Sequence, residues 1–176
     1  MDFKTIVTEA IDVLQLKERT IHSVAHDRSK LQAALLCLGV GALASSLGLV
    51  LFPIHMGLIT YRPDLAWVIG SAFGGALGQA IVLILVGLLA EKVFQSKLPT
   101  QAFFQVMAYA SLINVLGLIP GLSIFTSLWI LVVTVKVLHA EGKLEAPAIV
   151  LLLAFIILLF GSASYYQMGY YGIGMM

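Results

Sequence analysis

The chain has 176 residues, of which 60% are apolar and 11% charged, with a formal net charge of +1. Soluble domains average roughly 45–50% apolar and 25% charged residues, so the excess apolar surface has to face lipid and an ordinary soluble fold is excluded. Without a long basic run there is no phosphate-tracking surface and no nucleic-acid partner is expected, and the single Cys37 excludes an intramolecular disulfide framework.

The length implies one domain. Residues 1–30 read as a cytoplasmic amphipathic and juxtamembrane segment. Within Asp2–Lys17, Phe3, Ile6, Val7, Ala10, Ile11 and Leu14 recur at helical spacing, while Asp2, Lys4, Glu9 and Asp12 fall on the other face. Such a helix is too short and too charged to cross a bilayer. It lies flat in the membrane interface, docks a partner, or packs on the protein's own loops. Glu18–Lys30 is polar and is expected to be a solvated helix running on into the first span. His22 and His26 stand at i, i+4, the spacing at which two imidazoles on a helix share a metal, with Asp27 as a third candidate. Two histidines in a polar stretch are also common in a solvated helix, and no metal or cofactor is expected here. There is no short basic stretch leading into an apolar core with a small-residue cleavage site, so the first span is expected to act as an uncleaved anchor.

Five transmembrane helices are expected at about 31–52, 66–90, 102–119, 122–138 and 146–164, forming an all-α bundle over residues 31–166. Most fall near the roughly 17–25 residues that cross a bilayer core. In hydrocarbon only helices and closed barrels satisfy their own backbone. The first span is rich in small residues, among them Gly39, Gly41, Ser45 and Gly48, which let another helix approach closely. Pro53–Leu65 is expected to be an exposed connection, with Trp67 as an aromatic anchor at the entry to the second span. Gly70, Gly74 and Gly78 then form two overlapping small-xxx-small steps. With Gly39 and Gly48 they are the helix-packing candidates; the ribbon is expected to pack against the first span, with homodimerisation as the alternative. Gln79 in the same span calls for an inward hydrogen-bond partner.

The third span carries Gln105 and Asn114, nine residues apart. At about 900° of helical rotation they fall on opposite faces and cannot both line one pore. Pro120-Gly121 turns the chain into the fourth span, which is apolar as far as Lys136. That side chain can reach the headgroups and anchor the helix end. The fifth span is almost wholly aliphatic, and Tyr165 and Tyr166 at its exit belong to an interfacial aromatic belt leading into a short tail, residues 165–176. With five spans, Lys4, Lys17, Arg19, Arg28, Lys30, Lys92, Lys97, Lys136 and Lys143 lie on one side and only Arg62 on the other. The positive-inside rule then places the N-terminus in the cytoplasm and the tail outside.

Several words of the second half carry a family likeness. Phe103-Phe104 follows a short polar loop. Ala108-Tyr109-Ala110-Ser111 and Leu118-Ile119-Pro120-Gly121-Leu122 come next, and an apolar helix then ends in Val135-Lys136-Val137-Leu138-His139. This stretch, roughly residues 90–158 and more loosely the chain from Leu31, resembles a Yip domain. That is the family of multispan proteins first met as Ypt/Rab-GTPase interactors, with a large bacterial branch. The resemblance implies the multispan helical fold and a theme of membrane organisation or trafficking. The long acidic N-terminal arm of eukaryotic members, with its Asp-Leu-Tyr-Gly-Pro word, is not present, so the likeness is to the bacterial-type branch and implies a bacterial cytoplasmic membrane.

Catalytic patterns are missing. The sequence has no His-Glu-x-x-His, Gly-x-Ser-x-Gly or phosphate-loop word, and no pair of carboxylates inside a span. The expected role is therefore non-enzymatic: an integral membrane protein acting by helix packing and partner binding, alone or as an accessory subunit of a larger complex. Its partners are the lipid bilayer and a protein or second copy met through the glycine-rich helices or the N-terminal helix. The alternative is a small-solute transporter or channel component in which Ser45, Gln79, Gln105 and Asn114 line a cavity.

Overall fold

A computed structural model of the chain describes residues 2–52, 54–56, 59–61, 64–119 and 122–154. The Pro120-Gly121 turn, Arg62, the predicted fifth span beyond residue 154, Tyr165, Tyr166 and the tail lie outside the described residues.

The N-terminal segment forms two helices, α1 (Phe3–Leu14) and α2 (Glu18–His26). They meet in a turn at Leu16, whose φ of 59° is in the left-handed region. Ile6, Ala10 and Val13 of α1 and Ile21, Val24 and Ala25 of α2 are buried. Helix α1 packs against α2 and against a central helix described below. Of the three placements open to α1 from its sequence, this is packing on the protein itself, although Phe3 and Ile11 remain exposed.

The polar stretch does not run straight into the first span, as its sequence led one to expect. Asp27 leaves helical geometry, and its carboxylate accepts from the Ser29 amide at 2.9 Å and the Ser29 hydroxyl at 2.6 Å. An Asp side chain that bonds a backbone N–H two residues on offers the chain an alternative to continuing the helix. A 3₁₀ turn, Arg28–Lys30, follows, and α3 (Leu31–Leu51) begins in a new direction.

The expected open connection after α3 contains a short antiparallel pair, β1 (Ile54–Met56) and β2 (Ile59–Tyr61), with Ile54 opposite Tyr61. Helix α4 (Leu65–Leu88) starts where the Asp64 carboxylate accepts from the Trp67 amide at 2.7 Å, an N-cap that satisfies one of the helix's free donors. It ends in a π turn, Leu89–Val93. Then come α5 (Thr100–Ala110), a 3₁₀ continuation Ser111–Leu118, α6 (Leu122–Ala140) and α7, helical over residues 146–154.

Three stretches are long and apolar enough to cross a membrane: Arg28–Gly48, Leu65–Val93 and Thr100–Leu118. Helix α6 is apolar over Ile124–Ala140. Large apolar side chains stand outward on these helices, with Phe73 of α4 72% and Phe125 of α6 67% exposed, a surface that belongs in lipid. The centre is α5. Every residue from Ala102 to Ala110 is buried, with α1, α2, α3, α4 and α6 all packed against it.

The continuation of α5 explains the tightest helix contact. In a 3₁₀ helix residues three apart eclipse, so the carbonyls of Ser111, Asn114 and Gly117 fall in one line toward α3. A Cβ built on Gly41 would stand 2.3 Å from the Ser111 oxygen, and one on Gly48 2.7 Å from the Gly117 oxygen. Between them the Ser45 hydroxyl donates to the Asn114 carbonyl at 3.3 Å. Two glycines and a serine, nearly in register with the 3₁₀ period, thus let the two backbones touch.

Candidate functional site at the basic end of the bundle

The loop between α4 and α5, the turn between α6 and α7, and the α1–α2 hairpin meet at one end of the bundle. The Lys97 amide donates to the Gly142 carbonyl at 2.9 Å, and His22 of α2 lies 3.1 Å from the Glu141 carboxylate. The lysines and arginines of these three segments are therefore gathered at that end, and so are most of the polar contacts between elements.

Glu9 organises the inner part. Its Oε1 accepts from the Lys30 ammonium at 2.7 Å and its Oε2 from the Tyr109 hydroxyl at 3.1 Å. Lys30 also donates to the Ser23 hydroxyl at 3.0 Å. Lys30 and Tyr109 are buried. One carboxylate thus ties α1 to the head of α3 and to α5, and its ammonium partner adds α2. Taking both charges from water costs several kcal/mol per ion, about what a close geometry with every lone pair and proton engaged can offset.

Around this core lie single contacts. Gln105 of α5 donates to the Asp27 carbonyl at 3.0 Å, and the Trp129 indole of α6 donates to the Leu14 carbonyl at 2.9 Å. Lys136 of α6 donates to the Glu18 carboxylate. That hydrogen bond and the lysine's charge hold the exposed Glu18 carboxyl below its ordinary range. The two Ser29 hydrogen bonds do the same for Asp27. At the foot of α5 the Glu91 carboxylate accepts from the Thr100 amide at 2.7 Å and the Thr100 hydroxyl at 2.8 Å, capping the helix.

The outer part is His22, His26 and Glu141, whose ligand atoms all lie within 4.8 Å of one another. The sequence offered Asp27 as the third member. Asp27 instead holds Ser29, and the carboxylate comes from the far end of the chain.

Each residue singled out from sequence has a definite place. Gln79 donates to the Ser111 hydroxyl at 2.8 Å, the inward partner its position called for. Gln105 is buried at the hairpin junction, and Asn114 lies in the α3 seam. Of the helix-packing candidates only Gly48 meets another helix. Gly39, Gly70, Gly74 and Gly78 have open space where a Cβ would stand. The expected packing of the Gly70–Gly74–Gly78 ribbon on the first span is therefore not formed among the described residues: α4 meets α3 through other positions. Trp67 sits in the first turn of α4, partly exposed, and Lys136 is engaged with α2. The residues missed by sequence reading are Glu9, Lys30, Tyr109, Ser111 and Glu141. Their partners are tens to a hundred residues away, and in the sequence Glu9 is one of several charges on the polar face of its helix, with nothing to set it apart.

The fold and this polar seam define a helical protein with three helices long and apolar enough to cross a membrane. Comparison with protein-family models, curated proteins and solved structures returned no match to the chain.

Proposed function

We propose that this is a non-enzymatic, multi-pass membrane protein that works by binding another membrane helix, that of a second copy or of a larger complex, through the outer face of α4. The fate of the glycines supports this. Gly41 and Gly48 are taken up by the α3 seam, whereas Gly70, Gly74 and Gly78 stand open on a helix that buries little of itself. Glycine inside a helix costs roughly 0.5–1 kcal/mol relative to alanine. In lipid a ribbon of small residues recovers that cost when a second helix packs closely on it. The apolar face of α1, the other candidate surface, is partly covered by α2 and α5, with Ile6, Ala10 and Val13 buried and Phe3 and Ile11 left exposed.

In the same reading α6 and α7 begin the fourth and fifth spans. The basic end faces the cytoplasm, as basic loops do. The Yip likeness adds membrane organisation or trafficking as the theme and a bacterial cytoplasmic membrane as the place. A transport role draws less support, because the polar side chains of the spans hydrogen-bond between helices: Gln79 to Ser111, Gln105 to Asp27 and Ser45 to Asn114.

The test is cross-linking in native membranes of a Cys37→Ala chain carrying Gly74→Cys. A covalent dimer at twice 18.9 kDa, or a defined adduct with another membrane protein, is expected. It should disappear when Gly70→Leu and Gly78→Leu are added. A chain that stays monomeric and uncoupled, or an adduct indifferent to the leucines, refutes the reading.

A further inference from the structure

We propose that His22, His26 and Glu141 bind one divalent transition-metal ion of the zinc class, fastening α2 to the turn after α6. This inference uses none of the residues of the α4 surface and stands or falls separately from it.

The two histidines lie one turn apart on α2 with ring centroids 4.2 Å apart. Glu141 reaches them from 119 residues further along the chain, its Oε2 3.1 Å from His22 Nδ1. Two ligands on a tetrahedral ion, each at about 2.0 Å, stand about 3.3 Å apart, so this pair already has the separation of neighbouring ligands. The three ligand atoms need to close from within 4.8 Å of one another. The Glu141 side chain is 14% exposed and that of His22 65% exposed, so the site lies at the surface, where the imidazole has room to turn toward an ion.

His26 carries a second indication. Its Nδ1 lies 3.0 Å from the His22 carbonyl. A carbonyl only accepts, so Nδ1 bears the hydrogen and Nε2 presents its lone pair outward. Metal-binding histidines are commonly oriented this way, by a hydrogen bond from the nitrogen that does not ligate. Two imidazoles and one carboxylate suit zinc-class ions better than the all-oxygen preference of calcium or magnesium. Three protein donors leave the fourth position to water. A polar cleft of about 570 Å³, with Glu18, Lys136, Lys143 and Glu145 in its walls, opens beside Glu141 and gives an ion access. Binding would add a strong link between α2 and the turn after α6, beside the contacts that Glu9, Leu14 and Glu18 already make with the bundle.

The test uses the untagged full chain in mild detergent, titrated with zinc chloride alone by calorimetry and with cobalt(II) by visible absorption. One equivalent of zinc and the intense d–d bands of tetrahedral cobalt are expected. His26→Gln and Glu141→Gln should each weaken zinc binding at least tenfold, and a His22→Gln, His26→Gln double variant should lose saturable binding. Circular dichroism without metal confirms that the variants keep wild-type helicity. Absence of saturable zinc binding by the wild type overturns the proposal. So does undiminished binding by the double variant or by Glu141→Gln. The α4 cross-link, run without added metal, is unaffected by either result.

Discussion

Glu9 and Lys30 sit among buried apolar side chains, yet neither charge lacks a partner: the carboxylate holds an ammonium and a phenol, and the ammonium holds a carboxylate and a hydroxyl. The worth of such a pair lies in what happens when it is broken. Removing one member leaves the other buried and uncompensated, at about 3–5 kcal/mol, whereas replacing both by apolar groups of similar size is often close to neutral. Lys30→Met is therefore expected to destabilise the chain by that amount, and Lys30→Met with Glu9→Leu by clearly less than the sum of the single changes. Denaturant titration of the four proteins in micelles, followed by tryptophan fluorescence, reads the coupling. Trp129 makes a useful reporter because its indole bonds the Leu14 carbonyl on the same hairpin. Additive losses would mean that the two charges act independently.

The third span shows at element scale what hydropathy carries and what it leaves out. Length and apolarity located its ends to within two residues, Ala102–Ile119 against Thr100–Leu118. They gave no hint that its second half is a 3₁₀ helix. Nineteen residues as α-helix reach about 28 Å and with the last eight as 3₁₀ about 32 Å; both are close to a core of about 30 Å, so the length to be spanned does not select the 3₁₀ form. The reason for the change lies on the facing helix. Gly41, Ser45 and Gly48 admit the three aligned carbonyls, and a one-dimensional pattern does not say which face of α3 meets which carbonyl. Gly41→Ala should therefore destabilise by about 1–3 kcal/mol, the usual cost of overpacking, because its new methyl meets a backbone oxygen that cannot rotate away. Gly39→Ala, with open space around it, should be neutral or slightly stabilising. Thermal melting of the two variants side by side makes the comparison; equal effects would show that the seam does not set the packing. The glycines were thus legible as a class, but their division into packed and open ones was not. That division depends on rotation about the helix axis and on which neighbours the fold supplies.

For the whole molecule, the argument turns on which end each connection occupies. The Lys97–Gly142 and His22–Glu141 contacts bring the α4–α5 loop, the α6–α7 turn and the N-terminal hairpin to a single end. Each helix between them must therefore run the length of the bundle and back, α3 with α4 and α5 with α6. Helix α7 starts from that same end at residue 146, and its buried Ile149 and Leu152 belong to the core, so it leaves toward the opposite end. In the proposed five-span layout the aliphatic residues that follow would complete a fifth crossing, and residue 176 would emerge on the side away from the lysines. A dual reporter fused after Met176 is expected to be active outside and silent inside, and the same reporter fused after residue 143 to behave in the opposite way. Basic residues resist translocation, so adding three lysines after Met176 should lower the outside signal without reversing the signal at residue 143. A cytoplasmic signal from the unaltered C-terminal fusion would mean that α7 turns back before crossing. The chain would then have four spans, and both termini would lie at the basic end.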